Sequence, residues 1–248
     1  MTEPLNAWPP ERTVFKIAGI EMRVAPGRHR LEALAAAEIA ENWAAEVAAN
    51  PALFNGEVLL PEEMVLREGV IHATARATGF ATTLWWRKHV SPTEGLFLNA
   101  SAVPISADGL PIAIRMAPHT ANAGKVYFAT GSLDLSDVRD DGTCDVLGSM
   151  TREVLEETGI DLKREATAEP ALYAVHFGRR FFVFRFFHLS ETAEQICRRV
   201  ERHMQGETEP EIDAVFALTA DEGHAHRYHD LTPIILAFFF ARRMNAAG

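Results

Sequence analysis

The stretch Arg152-Glu153-Val154-Leu155-Glu156-Glu157-Thr158-Gly159-Ile160 decides how this chain is read. It has the form of a helix end closed by a glycine, and Gly159 suits the left-handed position just past the last helical residue. Three glutamates then occupy the last two turns, where the helix dipole is negative and favours cations. Glu153, Glu156 and Glu157 are spaced i, i+3, i+4, so they share a side of the helix within an arc of about 100°. Like charges crowded at a negative helix end repel one another. A divalent cation reverses that penalty, and carboxylate oxygens are the ligands that hard cations such as Mg²⁺ prefer. Arg152 lies one turn before Glu156 and can hold its carboxylate. A bare E-x-x-E-E run also fits a solvated helix face. What sets this one apart is the order R-E-apolar-x-E-E-x-G-apolar, with all nine positions in register.

That order resembles the second half of the Nudix box, the signature of Nudix hydrolases. The first half departs from the family pattern, which has a glycine, five residues, a glutamate, then seven residues before the arginine. Counting back from Arg152, the glutamate position holds Cys144 and the glycine position holds Val138. The expected glycine is instead Gly131, in Phe128-Ala129-Thr130-Gly131-Ser132-Leu133-Asp134. The loop from Gly131 to the helix is therefore read as lengthened, through Ser136-Asp137-Val138-Arg139-Asp140-Asp141-Gly142. Asp145 is expected to cap the helix, since aspartate is a strong N-cap residue, and to stand roughly where the missing glutamate would.

The resemblance implies an α/β fold: a Nudix-type α/β/α sandwich with a mixed sheet over residues 93–248, preceded by a smaller α+β N-terminal region over residues 1–92. It implies metal-dependent hydrolysis of the pyrophosphate linkage in a nucleoside diphosphate derivative, such as a nucleotide sugar, with Mg²⁺ or Mn²⁺ as cofactor. In the family's terms Glu156 and Glu157 ligate metal, Glu153 ligates metal or accepts a proton from water, and Arg152 orients the glutamates. The carbonyl of Gly131 completes the metal shell. Many members add a later carboxylate, and Glu207, Glu209 and Glu211 are the candidates here, beside their reading as a solvated acidic loop. Arg115 and either Arg179 or Arg180 are candidates for holding phosphate oxygens, beside their reading as solvated arginines. An alternative is a Nudix-fold module that binds a nucleotide-like ligand without turnover. Such modules usually lose box glutamates, and all three are present here. The run Asn50-Pro51-Ala52-Leu53-Phe54-Asn55-Gly56 is loosely similar to the N-terminal part of the branch that includes UDP-sugar hydrolases. UDP-sugars, ADP-ribose, dinucleotide cofactors and noncanonical nucleotides are all compatible with the box itself, because fold alone does not give specificity. A homodimer is common in the family, and the apolar C-terminal helix could contribute to one.

Composition sets outer bounds. The 248 residues, 48% hydrophobic and 23% charged, are ordinary for a soluble globular chain. A net charge of −10 argues against nucleic acid or an anionic membrane as the main partner. Two cysteines without metal spacing, Cys144 and Cys197, fit reduced thiols in a cytoplasmic protein. Met1-Thr2-Glu3-Pro4 lacks the charged and apolar regions of a signal peptide. The most apolar run, 233–241, is far too short to span a bilayer.

The rest of the chain reads as follows. Residues 13–24 form two short strands, and 31–49 an amphipathic helix with Leu31, Ala35, Ile39, Trp43 and Val47 on one stripe. Asn50-Pro51 stops it. Residues 57–60 and 64–78 look mostly β, and 81–90 a short helix carrying Trp85 and Trp86. These could stack on a base, although aromatics here also suit a core. Residues 96–104 and 111–116 flank the turn Asp108-Gly109 as a hairpin. A strand over 126–130 runs into Gly131. A second hairpin joins 171–177 to 181–188, followed by a helix over 191–204, a strand over 212–219 and a helix from Thr232 with Pro233 at its first position. His224, His226 and His229 form an H-x-H-x-x-H cluster that could bind a transition metal, although an exposed polar loop explains it as well.

Overall fold

The computed structural model describes residues 8–88 and 94–246. The expected boundary between residues 92 and 93, and the segment Met1–Pro4, lie outside them. The first half holds β1 (Phe15–Ile17), β2 (Gly19–Arg28), α1 (Leu31–Leu34), α2 (Ala36–Ala49), β3 (Glu57–Arg67), β4 (Val70–Gly79) and α3 (Phe80–Arg87). Next come β5 (Phe97–Ile105), β6 (Ile112–Met116), β7 (Val126–Tyr127), a 3-10 turn (Leu135–Asp137) and β8 (Thr143–Cys144). The remainder is α4 (Val146–Thr158), α5 (Leu162–Glu165), β9 (Ala166–Ala168), β10 (Leu172–Phe177), β11 (Arg180–Leu189), α6 (Ala193–Gly206), β12 (Ile212–Ala217) and α7 (Thr232–Ala246). No helix among the described residues is long and apolar enough to cross a membrane.

The central sheet runs β1-β10-β11-β5, with β9 also paired to β11. β11 is antiparallel to β10 and parallel to β5, so the sheet is mixed. Its middle strand is apolar without alternation, the mark of a strand covered on both faces. Phe181, Val183 and Phe187 enter one cluster with Met150 and Val154 of α4 and Val200 of α6. Phe182, Phe184 and Phe186 enter another with Ile235, Leu236 and Phe239 of α7. Burying each phenylalanine contributes on the order of 2 kcal/mol over leaving it exposed, so both helical layers are fixed by one strand. The result is the expected α/β/α sandwich.

Two smaller sheets complete the fold, β12-β6-β7 and β3-β4-β2-β8. Strands from the two halves of the chain share sheets. β1 pairs with β10, and β8 from the lengthened loop pairs with β2 through Met22 and Cys144. Leu59 N–H also donates to Leu133 O at 2.7 Å.

Four local expectations change. The strands expected over 57–60 and 64–78 divide elsewhere: β3 runs on through Pro61 to Arg67, and β4 starts at Val70 after a turn at Gly69, whose φ of 78° suits glycine. The helix over 31–49 breaks at Ala35, whose backbone (φ −128°, ψ 32°) separates α1 from α2. The break lets Leu31 pack with Leu60 and Trp86, while Ala35 and Ile39 pack with Ala81. The turn at Asp108-Gly109 forms, but β5 and β6 part after one bridge between Ile105 and Pro111. Pro111 has no N–H to extend a ladder, and β6 instead joins β12 and β7. The strand over 126–130 is ladder-paired only at Val126–Tyr127. Beyond it Thr130 Oγ1 donates to Asn99 Oδ1 or Ala100 O of β5, at 2.7 and 2.8 Å.

The end of α4 is as the sequence suggests. Gly159 adopts φ 71°, and the His203 ring N–H donates to the Glu156 carbonyl at 3.0 Å, satisfying one terminal acceptor. A Cβ on Gly159 would also come within 2.8 Å of His203 Nδ1. Gly159→Ala is expected to lower stability by about 1–2 kcal/mol. Gly206→Ala, where nothing lies within 4 Å of the added carbon, should be near neutral. Urea denaturation of the two variants checks this, and equal midpoints would refute it.

Candidate functional site

Residues Val146, Met150 and Val154 form the buried stripe of α4, and Glu153 and Glu157 lie on the same face. The helix therefore carries two carboxylates inward as it packs on β5. Glu156 falls outside that face, with its side chain 56% exposed. The three glutamates, expected to share a side, divide into a buried pair and an outer member.

Arg152 links them. Its Nη1 donates to Glu156 Oε2 at 2.9 Å, and its Nη2 lies 2.9 Å from Glu153 Oε1. The same Nη2 donates to Asp137 Oδ1 at 3.1 Å. Asp137 is buried, and it also accepts from the N–H of Asp134 in a capping box around the 3-10 turn. Asp145 caps α4 as expected, accepting from Gly148 N–H at 2.9 Å, but its ion-pair partner is Arg139, at 2.7 Å. The carboxylate that reaches Arg152 from the lengthened loop is Asp137, which sequence reasoning did not single out. The only sequence signal for it was an Asp-x-x-Asp capping pattern at Asp134 and Asp137.

Gly131 sits directly against Glu153. A Cβ at position 131 would lie 2.2 Å from Glu153 Oε2, so only glycine allows this approach. Burial pushes Glu153 up to about 7 against the pull of Arg152, and Glu156, Asp137 and Glu211 add to the rise. Burial, then repulsion from Glu153, Glu211 and Glu156, holds Glu157 well above the ordinary carboxylate range. Among the described residues nothing gives the buried Glu157 Oε2 a hydrogen bond. Among the described residues no three acidic, histidine or cysteine side chains already converge as a closed metal site. The donor set nevertheless suits a hard cation: all carboxylate, clustered, and short of positive charge.

Of the later carboxylates, Glu211 lines the same cavity as Glu157. Glu207 lies 3.3 Å from His203, and Glu209 lines a separate shallow groove. The cavity has a volume of about 720 Å³, within the range of small-molecule sites. Phe54, Phe80 and Arg87 reach it from the N-terminal region, and Tyr127, Arg180 and His229 from the later chain. Arg115 is not on its wall. It pairs with Asp213 at 2.6 Å on the outer side of β6, while its neighbour Met116 faces the cavity. Arg179 likewise donates to Gly95 O at 2.6 Å, whereas Arg180 lines the cavity. Trp86 is core, its indole N–H donating to Glu94 O. The three histidines do not converge: His226 packs on Phe216, and His229 turns into the cavity.

No family model matches the chain, and no curated protein matches it significantly. Several solved structures are similar to it. A MutT protein from Methanosarcina mazei is 14% identical over 59% of this chain and 94% of its own, with a TM-score of 0.37. A Nudix hydrolase from M. smegmatis, RenU, is 12% identical over 60% of this chain and 84% of its own, with a TM-score of 0.39. A bifunctional NMN adenylyltransferase/ADP ribose pyrophosphatase from Francisella tularensis, solved with AMP and a Mn ion, is 16% identical over 65% of this chain and 45% of its own, with a TM-score of 0.39.

Two expectations follow from this geometry. Asp137→Ala leaves Arg152 with glutamates alone and should lower stability by about 1–3 kcal/mol, less than a fully buried pair because Arg152 is partly exposed. Chemical denaturation measures it, and an unchanged midpoint would remove Asp137 from the site's framework. The second concerns His229, which packs against Tyr127 and Phe182 with ring centroids 5.8 and 5.5 Å away. Burial, then Lys125 and Arg87, pushes it down to about 4 from an ordinary value of 6.5. Between these values the unfolded chain binds the proton and the folded chain does not. Stability from this residue is therefore full above pH 6.5 and declines toward pH 4, by up to about 3 kcal/mol. Urea midpoints of the native protein and of His229→Gln, taken from pH 7.5 to 4, should diverge in slope, and parallel curves would refute the assignment.

Proposed function

We propose that this chain is a Nudix-type pyrophosphohydrolase that cleaves the pyrophosphate linkage of a nucleoside diphosphate derivative with Mg²⁺ or Mn²⁺. The observation that carries this reading is buried Glu157, which among the described residues has no cation beside it and shares a cavity with Glu211, next to an equally buried Glu153 held by Arg152. Glu153, Glu156, Glu157 and the Gly131 carbonyl would hold the cation, with Glu211 as the later carboxylate. A divalent cation there neutralises a diphosphate, positions its oxygens and lowers the pKa of bound water. Arg152 fixes Glu153 and Glu156 through its two terminal nitrogens. Glu153 is the carboxylate proposed either to hold the cation or to take a proton from an attacking water. The aromatic wall formed by Phe54, Phe80 and Tyr127 suits a nucleobase or sugar face. The region before residue 93 is proposed to close the substrate cavity, because Phe80 and Arg87 come from it.

Glu157→Gln is expected to reduce turnover at least about 100-fold, as loss of a principal charge-stabilising group does. Chelator should abolish activity and Mg²⁺ or Mn²⁺ restore it. The assay is product release from nucleoside diphosphate sugars, ADP-ribose and dinucleotides, with circular dichroism confirming that the variant is folded. Saturable binding of one class without turnover would replace hydrolysis with ligand sensing.

A further inference from the structure

The cavity is electrically divided. Among the described residues Glu157 and Glu211 line it, with no cation among the strong neighbours of Glu157, whereas Arg87, Lys88, Lys125 and Arg180 line it together with only two carboxylates, Glu46 and Asp230. Tyr127 lies between the two sets. Its hydroxyl accepts from Asn122 Nδ2 at 3.4 Å, and Asn122 Oδ1 accepts from Arg87 Nη2 at 2.5 Å. Tyr127 feels both Glu157 and Arg87, whereas Glu157 feels other carboxylates and no cation.

The cations are also placed for a ligand. Arg180 donates to Arg87 O at 2.9 Å, and its guanidinium lies 4.8 Å from the Trp86 ring centroid, so the two arginines are held together. Like charges so arranged repel one another, and the carboxylates on the same wall, Glu46 and Asp230, are fewer than the cations. Asp230 attracts all three cations. Glu46 attracts Arg87, but its carboxylate is paired with Lys88 at 2.8 Å. Lys125 is half-buried, and among the described residues no side chain or carbonyl gives its ammonium a hydrogen bond or ion pair. Burial, then Arg87, lowers its pKa, as expected for an ammonium held in a cavity without a partner. A lysine buried only for packing is expected to reach a carboxylate or water, and this one points at space large enough for a ligand.

We propose that Lys125, with Arg87 and Arg180, forms an anion subsite. It takes a second anionic group, a phosphate or carboxylate, on the part of the substrate that lies away from the glutamates. This rests on the pyrophosphohydrolase reading for the identity of the substrate, a nucleoside diphosphate derivative. The substrate class is thereby narrowed to derivatives that carry a negative charge beyond the diphosphate itself. Neutral nucleotide sugars leave Lys125 unpaired in the complex and are disfavoured.

Matched pairs of ligands test this. UDP-glucuronate against UDP-glucose isolates a carboxylate; NADPH against NADH isolates a phosphate. Dissociation constants are measured by calorimetry on the full chain in chelator, so that binding is read without turnover. In at least one pair the more anionic ligand should bind about tenfold tighter or more, the scale of one charge-assisted contact. Lys125→Met should reduce that preference to less than about twofold while sparing the less anionic ligand, and Lys125→Arg should retain most of it. Thermal melts confirm that both variants fold. Three results would overturn the subsite: no preference in either pair, a preference that survives Lys125→Met, or equal weakening of both ligands. The last would mean that Lys125 holds the diphosphate itself. Turnover with metal is then measured separately. Hydrolysis without a preference sinks the subsite alone, and a preference without hydrolysis sinks the pyrophosphohydrolase reading alone.

Discussion

Two carboxylates are buried on one face of α4 with too little positive charge around them, and much of the surrounding structure answers that constraint. Glu153 and Glu157 face inward because they flank the apolar stripe Val146, Met150 and Val154. One guanidinium, Arg152, serves Glu153, Glu156 and Asp137 together. It offsets Glu153 only in part and does not touch Glu157. An arrangement of this kind is costly in an empty protein. It is economical in one that binds a cation, because the desolvated oxygens are already turned toward the place where the charge arrives.

Arg152 itself needs a fixed position, and this gives the long loop a purpose. The segment between Gly131 and Asp145 forms an ordered unit, with a capped 3-10 turn at Leu135–Asp137 and a strand that joins β2. Asp137 projects from it to Arg152. The chain folds a small hairpin here against its N-terminal sheet, and Asp137 stands at its start. The geometry of the box therefore depends on β2, more than a hundred residues earlier.

What could be read in the sequence follows from the range of the interactions. The helix, its left-handed glycine and the Asp145 cap depend on residues within one or two turns, and local spacing carried them; the division of the three glutamates into a buried pair and an exposed Glu156 depends on what α4 packs against, and spacing did not show it. The sandwich was legible through the resemblance carried by the nine-residue stretch; that Phe181–Phe187 is covered on both faces became visible only in the structure. Asp137, Glu211 and Lys125 were harder because nothing nearby in sequence sets where they point. Pairing β8 with β2 places Asp137. The pairing of β12 with β6 brings the chain beside Glu211 to the cavity, where Ala117 N–H donates to Glu211 O at 2.8 Å. Alternation also decided between neighbours: Met116 faces the cavity and Arg115 faces Asp213, while Arg180 faces inward and Arg179 outward. A one-residue difference in a strand or turn exchanges the two sides, and no composition argument resolves it.

The same division explains why the box motif alone leaves selectivity unread. The motif supplies only the acidic end of the cavity. The cationic lining is assembled from α3, which contributes Arg87, from the segment before β7, which contributes Asn122 and Lys125, and from the start of β11, which contributes Arg180. These pieces belong to different sheets and lie far apart in the chain. Each is anchored for reasons unconnected with the glutamates: Trp86 in the core below Arg87, Phe97 and Phe182 packed beside it, and Val126 hydrogen-bonded to Arg227 and His229. The acidic end can thus be kept constant while the cationic wall changes. Selection among ligands is expected to follow substitutions at residues 87, 122, 125 and 180, and not those within the nine-residue signature.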